Sequence, residues 1–333
     1  MRTLLAALAL CAGLAHAQTA PAPASAEDTP VREHEAVVVT GVQPGPGLWK
    51  VRHGGNTLWI LGTLTPLPKD FEWLSRDVEA VIGQADEVLG APSLVVGSDI
   101  GFFRGLTLLP AAMKARNNPD GARLRDVLPP ALYARWQPLK TRYFGNDDDI
   151  EKRRPAYAAT ELYEKAIRRA GLRTGGIVGP VVAKAAKRRG LKITPVQVKI
   201  AVADPRTTLR EFNRTPLNDI ECFARMLDRV ELDVATLRDR ANAWAVGDID
   251  ALRAQPVPNA YQTCMNAFSE TALAKKLGIG DPFVQVREAW VAQARKSLER
   301  NAVTFATLPM TDLLAPDGPL ERLRALGYEI EAP

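Results

Sequence analysis

The chain has 333 residues, 46% hydrophobic and 24% charged, with 43 basic and 38 acidic side chains giving a formal charge of +5. That balance suits a globular chain long enough for one large domain or two small ones. Basic and acidic residues alternate, as in Glu151-Lys152-Arg153-Arg154 and Arg238-Asp239-Arg240, which argues against a polybasic nucleic-acid-binding protein. The first segment has the pattern of a secretory signal. Arg2 is its charged start, residues 4–14 form its apolar run, and Ala15-His16-Ala17 is an A-x-A site with cleavage after Ala17. The apolar run is too short to cross a bilayer, which takes about 20 residues. Cys11 lies inside that run behind Leu10, which does not fit a lipoprotein signal. Residues 18–43, rich in Ala, Pro, Thr and charge, read as a disordered lead-in. No other run approaches membrane length, so the expectation is a periplasmic or secreted protein with no transmembrane segment after cleavage and one domain over residues 44–333.

Residues 48–52 and 57–61 are apolar and β-prone around Gly54-Gly55-Asn56, the pattern of a hairpin. The hairpin runs into a tight turn over Gly62-Thr63-Leu64-Thr65. Residues 74–85 predict a helix with Ser75 as cap and Val78, Val81, Ile82 and Ala85 on one face. A short strand over 87–90 ends near Pro92. Helices follow over 105–117, with Pro110 inside, and over 130–144 and 155–170, the last closed by Gly171. The several glycines of 171–179 follow a helix and lack a phosphate-binding lysine, so they read as a turn or linker. Residues 180–189 form a helix ahead of a strand over 192–198. Lys184, Lys187, Arg188, Arg189 and Lys192 gather at that helix end, where cations favour the dipole. A solvated helix end is the better reading, and no nucleic-acid motif accompanies it.

The longest periodic stretch is 217–246, with Ile220, Phe223, Leu227, Val230, Val234, Leu237 and Ala241 spaced by three and four. Gly247 ends it, and Asp248 caps a short helix through Ala254. A proline-bearing break over 255–259 leads to a helix carrying Cys264. A helix over 282–300, a strand over 303–308, a helix over 319–326 and a strand over 328–331 close the chain. Strands near both ends with many helices between them predict an α/β (α+β) fold. Its mixed central sheet joins N- and C-terminal strands. Cys222 and Cys264 are the only cysteines left after cleavage. In an oxidising compartment such a pair forms a disulfide, the other reading being two buried thiols. There is no G-x-S-x-G, Walker A or strand-linked G-x-G-x-x-G pattern. Of the histidines surviving cleavage, His34 lies in the lead-in and His53 beside the hairpin turn. The run Asp147-Asp148-Asp149 lacks EF-hand spacing and reads as a solvated loop.

Two stretches carry a family resemblance. LWKVRHGGNTLWILGTLTPLP at 48–68 and TFATLPMTDLLAPDGPLERLRALGYEIE at 304–331 resemble the opening and closing motifs of the TraB/GumN family, which includes TraB, PrgY, GumN and the Tiki-type metalloproteases. The closing match holds at Phe305, Leu313, Gly318, Leu323, Gly327 and Tyr328. Ala85-Asp86 and Arg154-Pro155-Ala156 add shorter matches. The resemblance implies a divalent metal held by histidines and a glutamate, activating water. Here the first family histidine falls on Thr65, the glutamate on Ala91 and the second histidine on Asp312. Pro309 and Ala315 replace motif glycines, and a further family glutamate falls near Gln197. A hydroxyl, a methyl and one carboxylate are a poor donor set for such a metal. The resemblance therefore implies a degenerate-site, non-catalytic domain that is ligand-binding or envelope-associated, with no cofactor. Its pocket would involve Gly62, Thr63, Thr65 and Asp312, with a peptide or envelope component as ligand. The alternative is an active metal-dependent hydrolase with a rearranged site. Asp312 is then general base or metal ligand, and Thr65 orients water or substrate; an oxygen-only magnesium or calcium site would instead draw on Asp312 with Asp317 or the 147–149 run. A structural envelope protein without a ligand is a third reading.

Overall fold

A computed structural model describes residues 45–97, 105–215, 217, 219–233, 236–255 and 260–333. The signal pattern, the Ala17 site, the lead-in with His34, and residues 256–259 of the proline-bearing break lie outside the described residues. The hairpin forms as the sequence predicts. β1 (Leu48–His53) runs antiparallel to β2 (Asn56–Thr63), with Leu48 opposite Leu61 and His53 opposite Asn56. Gly54 supplies the left-handed residue of the turn at φ +58°. Alternate side chains of the pair, among them Trp49, Val51, Leu58 and Ile60, are buried.

The predicted turn at Gly62 does not form there. Gly62 and Thr63 remain in β2, because β7 (Val303–Pro309) pairs parallel with it from Thr57–Val303 to Thr63–Pro309. A Cβ at Gly62 would stand 2.6 Å from Met310 Cε and 2.8 Å from Leu313 Cδ1. That glycine serves close packing rather than chain reversal. The reversal comes at Leu64-Thr65-Pro66, with a cis Thr65–Pro66 bond, and leads into the two-residue β3 (Leu67–Pro68).

After α1 (Arg76–Gln84), β4 (Glu87–Gly97) pairs parallel with β7 and with β6 (Ile193–Ala201). The sequence ends this strand near Pro92, whereas it passes through. The register against β6 shifts between Leu89 and Pro92, a bulge that accommodates a residue without an N–H to donate. β8 (Glu329–Glu331) pairs antiparallel with β1, and Glu331 bridges Lys50 and Arg52. The sheet order is β6-β4-β7-β2-β1-β8, a mixed sheet built from both ends of the chain.

Most of the helices serve two large cores, and a small third cluster gathers Ile200, Ala274 and Ile279. Residues 105–106 are helical as the sequence predicts, a turn at 107–108 interrupts the stretch, and α2 (Leu109–Ala115) restarts with Pro110 in its first turn. α3 (Leu124–Val127), α4 (Pro130–Phe144) and α5 (Pro155–Arg169) follow. β5 (Leu172–Arg173) pairs with β3 and precedes α6 (Val178–Arg188). α7 (Pro205–Arg214), which the sequence pattern does not announce, is capped by Asp204 and buries no side chain. The stretch 217–246 is not one helix. α8 (Ile220–Asp228) passes through a π turn over Arg229–Asp233 before α9 (Leu237–Ala245).

The break separates two packing duties. Phe223, Leu227 and Val230 join Trp136, Ala158 and Leu162 in a helical core. Ala241 and Trp244 join the sheet core with Trp49, Ile60 and Phe305. α10 (Ile249–Ala254) is capped by Asp248, as predicted. α11 (Ala260–Ser269) carries Cys264, which is joined to Cys222 of α8 with Cα atoms 4.6 Å apart. A bridge across a sequence separation of 42 stabilises by about 4 kcal/mol in the chain-entropy account. α12 (Ala272–Lys276), α13 (Pro282–Arg300), α14 (Met310–Leu313) and α15 (Pro319–Ala325) complete the fold. Among the described residues, no helix is long and apolar enough to cross a membrane.

Candidate functional site

The parallel strands lie in the order β6-β4-β7-β2, so the crossover from β2 through α1 to β4 passes over β7. Crevices at the carboxyl ends of such strands are where open α/β sheets place ligands. A cavity of about 330 Å³ lies at this edge. Thr63 closes β2 there, Thr65 comes from the following turn, and Gly90 and Ala91 come from the β4 bulge. Thr307 of β7, the loop Arg173–Gly179 and Val182 of α6 complete much of the wall. The end of β2 is held from outside, since Trp244 Nε1 donates to the Gly62 carbonyl at 2.6 Å. The Trp244 ring also meets Trp73 with centroids 5.4 Å apart.

Asp312 stands elsewhere. It lines a second cavity of about 410 Å³, with Ser93, Leu94, Phe283, Val286 and Thr311, which shares no lining residue with the first. Its Oδ1 accepts from Arg287 Nε at 2.9 Å, and Arg287 Nη1 donates to Asp317 Oδ2 at 3.3 Å. Burial pushes the Asp312 carboxyl above the usual carboxylate range, with Arg287 pulling it down and Asp317 adding to the rise. The structure thus brings Thr63, Thr65 and Ala91 around one cavity, Asp312 at another, and Gly62 at neither.

The other candidates have ordinary structural partners. Asp148 and Asp149 pair with Lys140 and Lys152, and Asp147 accepts from the Asp149 amide. His53 is exposed beside Tyr328, ring centroids 5.0 Å apart. Gln197 is exposed on β6 opposite Ser93. In the basic cluster all five cations are exposed, and Arg188 pairs with Glu79.

A family model for TraB/PrgY/gumN matches residues 47–332. The chain belongs to the TraB/PrgY/gumN family. No curated protein and no solved structure matches it. In this TraB/PrgY/gumN chain the matched motif residues do structural work. Asp86 accepts from the Val303 amide at 3.0 Å and so fixes the start of β7 beside β4. A Cβ at Gly318 would press on the Asp312 and Ala315 carbonyls, the latter at 2.9 Å. The buried Arg154 donates to the carbonyls of Asn117, Phe212 and Thr215, tying off the end of α7. Asp219 accepts from the Ala156 amide at 2.8 Å, capping α5.

The metal that the family resemblance implies does not fit the residues present. The cavity beside Thr65 offers hydroxyls, backbone and one guanidinium, with no imidazole, thiolate or carboxylate. Asp312, the one carboxylate at a matched position, is committed to Arg287. Among the described residues no group of three His, Cys, Asp or Glu is placed to hold a metal. Sequence reasoning missed Arg173 and the loop 174–179 as cavity wall. The available signal was the glycine run before a helix, which the sequence pattern reads only as a turn.

Proposed function

We propose that this chain is an exported, non-catalytic member of its family that binds a peptide or envelope component in the cavity beside Thr65 and Ala91. The supporting observation is the lining of that cavity. It keeps the position expected of a ligand site at the carboxyl ends of parallel strands, yet supplies no group that could serve as metal ligand or general base. The leader pattern of residues 1–17 and the Cys222–Cys264 bridge support a periplasmic or secreted location. The test is metal analysis of the purified chain lacking its leader, with peptide-library hydrolysis assayed with and without Mn²⁺, Co²⁺ or Zn²⁺. The expected result is substoichiometric metal and no metal-dependent turnover. Tightly held stoichiometric divalent metal would overturn the proposal.

One observation favours a second reading, a rearranged hydrolase. Burial raises the Asp312 carboxyl, as suits a general acid or base. Against it, Oδ1 is taken by Arg287, and the second cavity contains no histidine. Metal-dependent turnover abolished by Asp312→Ala would establish this reading in place of the first.

A further inference from the structure

We infer that the cavity beside Thr65 takes an anionic amphiphile, a carboxylate or phosphate head on an apolar body, with Arg173 gripping the head. The inference rests on the binding role proposed above and names its ligand class. Arg173 ends β5, opposite Leu67 of β3. Its guanidinium lies against Gly176, where an added Cβ would stand 2.9 Å from Cζ. The positive φ of Gly176, +75°, also disfavours any larger residue. The loop is therefore shaped to let this side chain lie across it at the cavity wall.

The Arg173 side chain makes no hydrogen bond or ion pair with the described residues, whereas Arg135, Arg188 and Arg287 all pair with carboxylates. No acidic residue lines the cavity. An adjoining groove is lined by Asp70 and Glu72, accompanied by Lys69. That groove shares Gly176 and Ile177 with the cavity. The body of the cavity is apolar, from Leu64, Leu89, Val178, Val182 and Ile193. A volume of about 330 Å³ falls at the small end of ligand sites, which span roughly 300–1,000 Å³. An apolar pocket with one unpaired fork-shaped cation selects an apolar molecule ending in a carboxylate or phosphate. The planar guanidinium matches both heads through paired N–H bonds.

The experiment titrates the full chain, without its leader, with octanoate, octyl phosphate, octanol and octylammonium by calorimetry. The two anions should bind, octanol at least ~10-fold more weakly, in line with the loss of a charge-assisted hydrogen bond, and octylammonium not at all. Tighter octyl phosphate identifies a phosphate head, and tighter octanoate a carboxylate. Arg173→Ala should weaken both anions by ~10-fold and leave octanol unchanged, while Arg173→Lys restores part of the loss. Thermal melts confirm that the variants fold. Octanol binding as tightly as octanoate, or anion affinity unmoved by Arg173→Ala, would overturn the anionic head and leave the cavity a binding site. Binding of none of the four probes would overturn the amphiphile inference itself, while the broader binding proposal is judged by the metal and peptide experiments.

Discussion

Two arginines stand in opposite circumstances, Arg173 in the wall of one cavity and Arg287 behind the Asp312 that lines the other. Arg287 is buried on α13 and committed to Asp312 and Asp317. Arg173 is exposed beside Gly176 and makes no ion pair with the described residues. A charge removed from water needs a partner to remain ionised, so the Arg287 pair belongs to the architecture of its cavity. A cation at a rim keeps its hydration and can exchange it for a ligand. The contrast also bears on the family position at Asp312. Its carboxylate forms half of an ion pair within the fold rather than facing an open coordination site.

The sharpest way to break this comparison is to remove the buried cation. Arg287→Ala leaves Asp312 buried beside a vacant space, and losing one partner of a buried pair costs about 3–5 kcal/mol. Chemical denaturation should show a loss of that size. Replacing both partners together, Arg287→Met with Asp312→Leu, should recover much of it, because an apolar pair carries no desolvation cost. If Arg287→Ala alone is neutral, the two arginines do not differ as described.

A smaller effect is expected at Gly62, which touches the base of α14 and not the lining of the Thr65 cavity. Gly62→Val would push against Met310 and Leu313. Both contacts are ends of flexible side chains, so overpacking should cost about 1–3 kcal/mol. Because α14 carries Asp312, a ligand titration and a carboxyl titration should separate the two cavities. The Asp312 titration shifts, while binding beside Thr65 does not.

Asp312 itself gives a pH-dependent readout. Its folded-state pKa is raised above the unfolded value of about 3.9 by burial, with Arg287 opposing. Between those two values the folded chain binds more protons than the unfolded chain, so stability falls as pH rises through the window. The contribution is fully present below about pH 3.9 and lost above the folded pKa. Asp312→Asn should flatten that slope in thermal melts. Arg287→Gln should raise the Asp312 pKa further in a carbon-13 carboxyl titration, because a compensating charge is removed.

The contrast also marks how far the sequence alone reaches. Local patterns placed α4 and α13 at the bounds the structure has, since a first-turn proline and an apolar stripe act within the helix itself. The hairpin was equally legible, its turn chemistry being contiguous. The misread segments depend on distant partners. Thr63 stays extended because Pro309 lies beside it, and Pro92 passes through β4 because a bulge in β4 shifts the register against β6. The stretch 217–246 has one apolar period but serves two cores, and periodicity cannot tell which core a stripe faces. Thr65 and Ala91 could be matched by motif. That Asp312 is bound by Arg287, 25 positions earlier in the chain, could not be read from spacing. Nor could the use of the glycine loop as a cavity wall, because a turn between elements and a wall beside a cavity have the same composition.

The smallest expected effect tests the other arginine. Arg173→Ala removes an exposed side chain that has no ion partner among the described residues, and such substitutions usually change stability by no more than about 0.5 kcal/mol. Denaturation midpoints of the variant and the parent should therefore coincide. A conformational contribution from the neighbouring loop is separable, because Gly176→Ala strains a left-handed residue and crowds the same guanidinium. That variant should destabilise the chain by about 1 kcal/mol even in the Arg173→Ala background, where only the backbone strain remains. If Arg173→Ala instead costs as much as Arg287→Ala, the guanidinium is holding the loop together rather than waiting at the rim. The distinction between a structural and an available arginine would then fail at the cavity where it matters for binding.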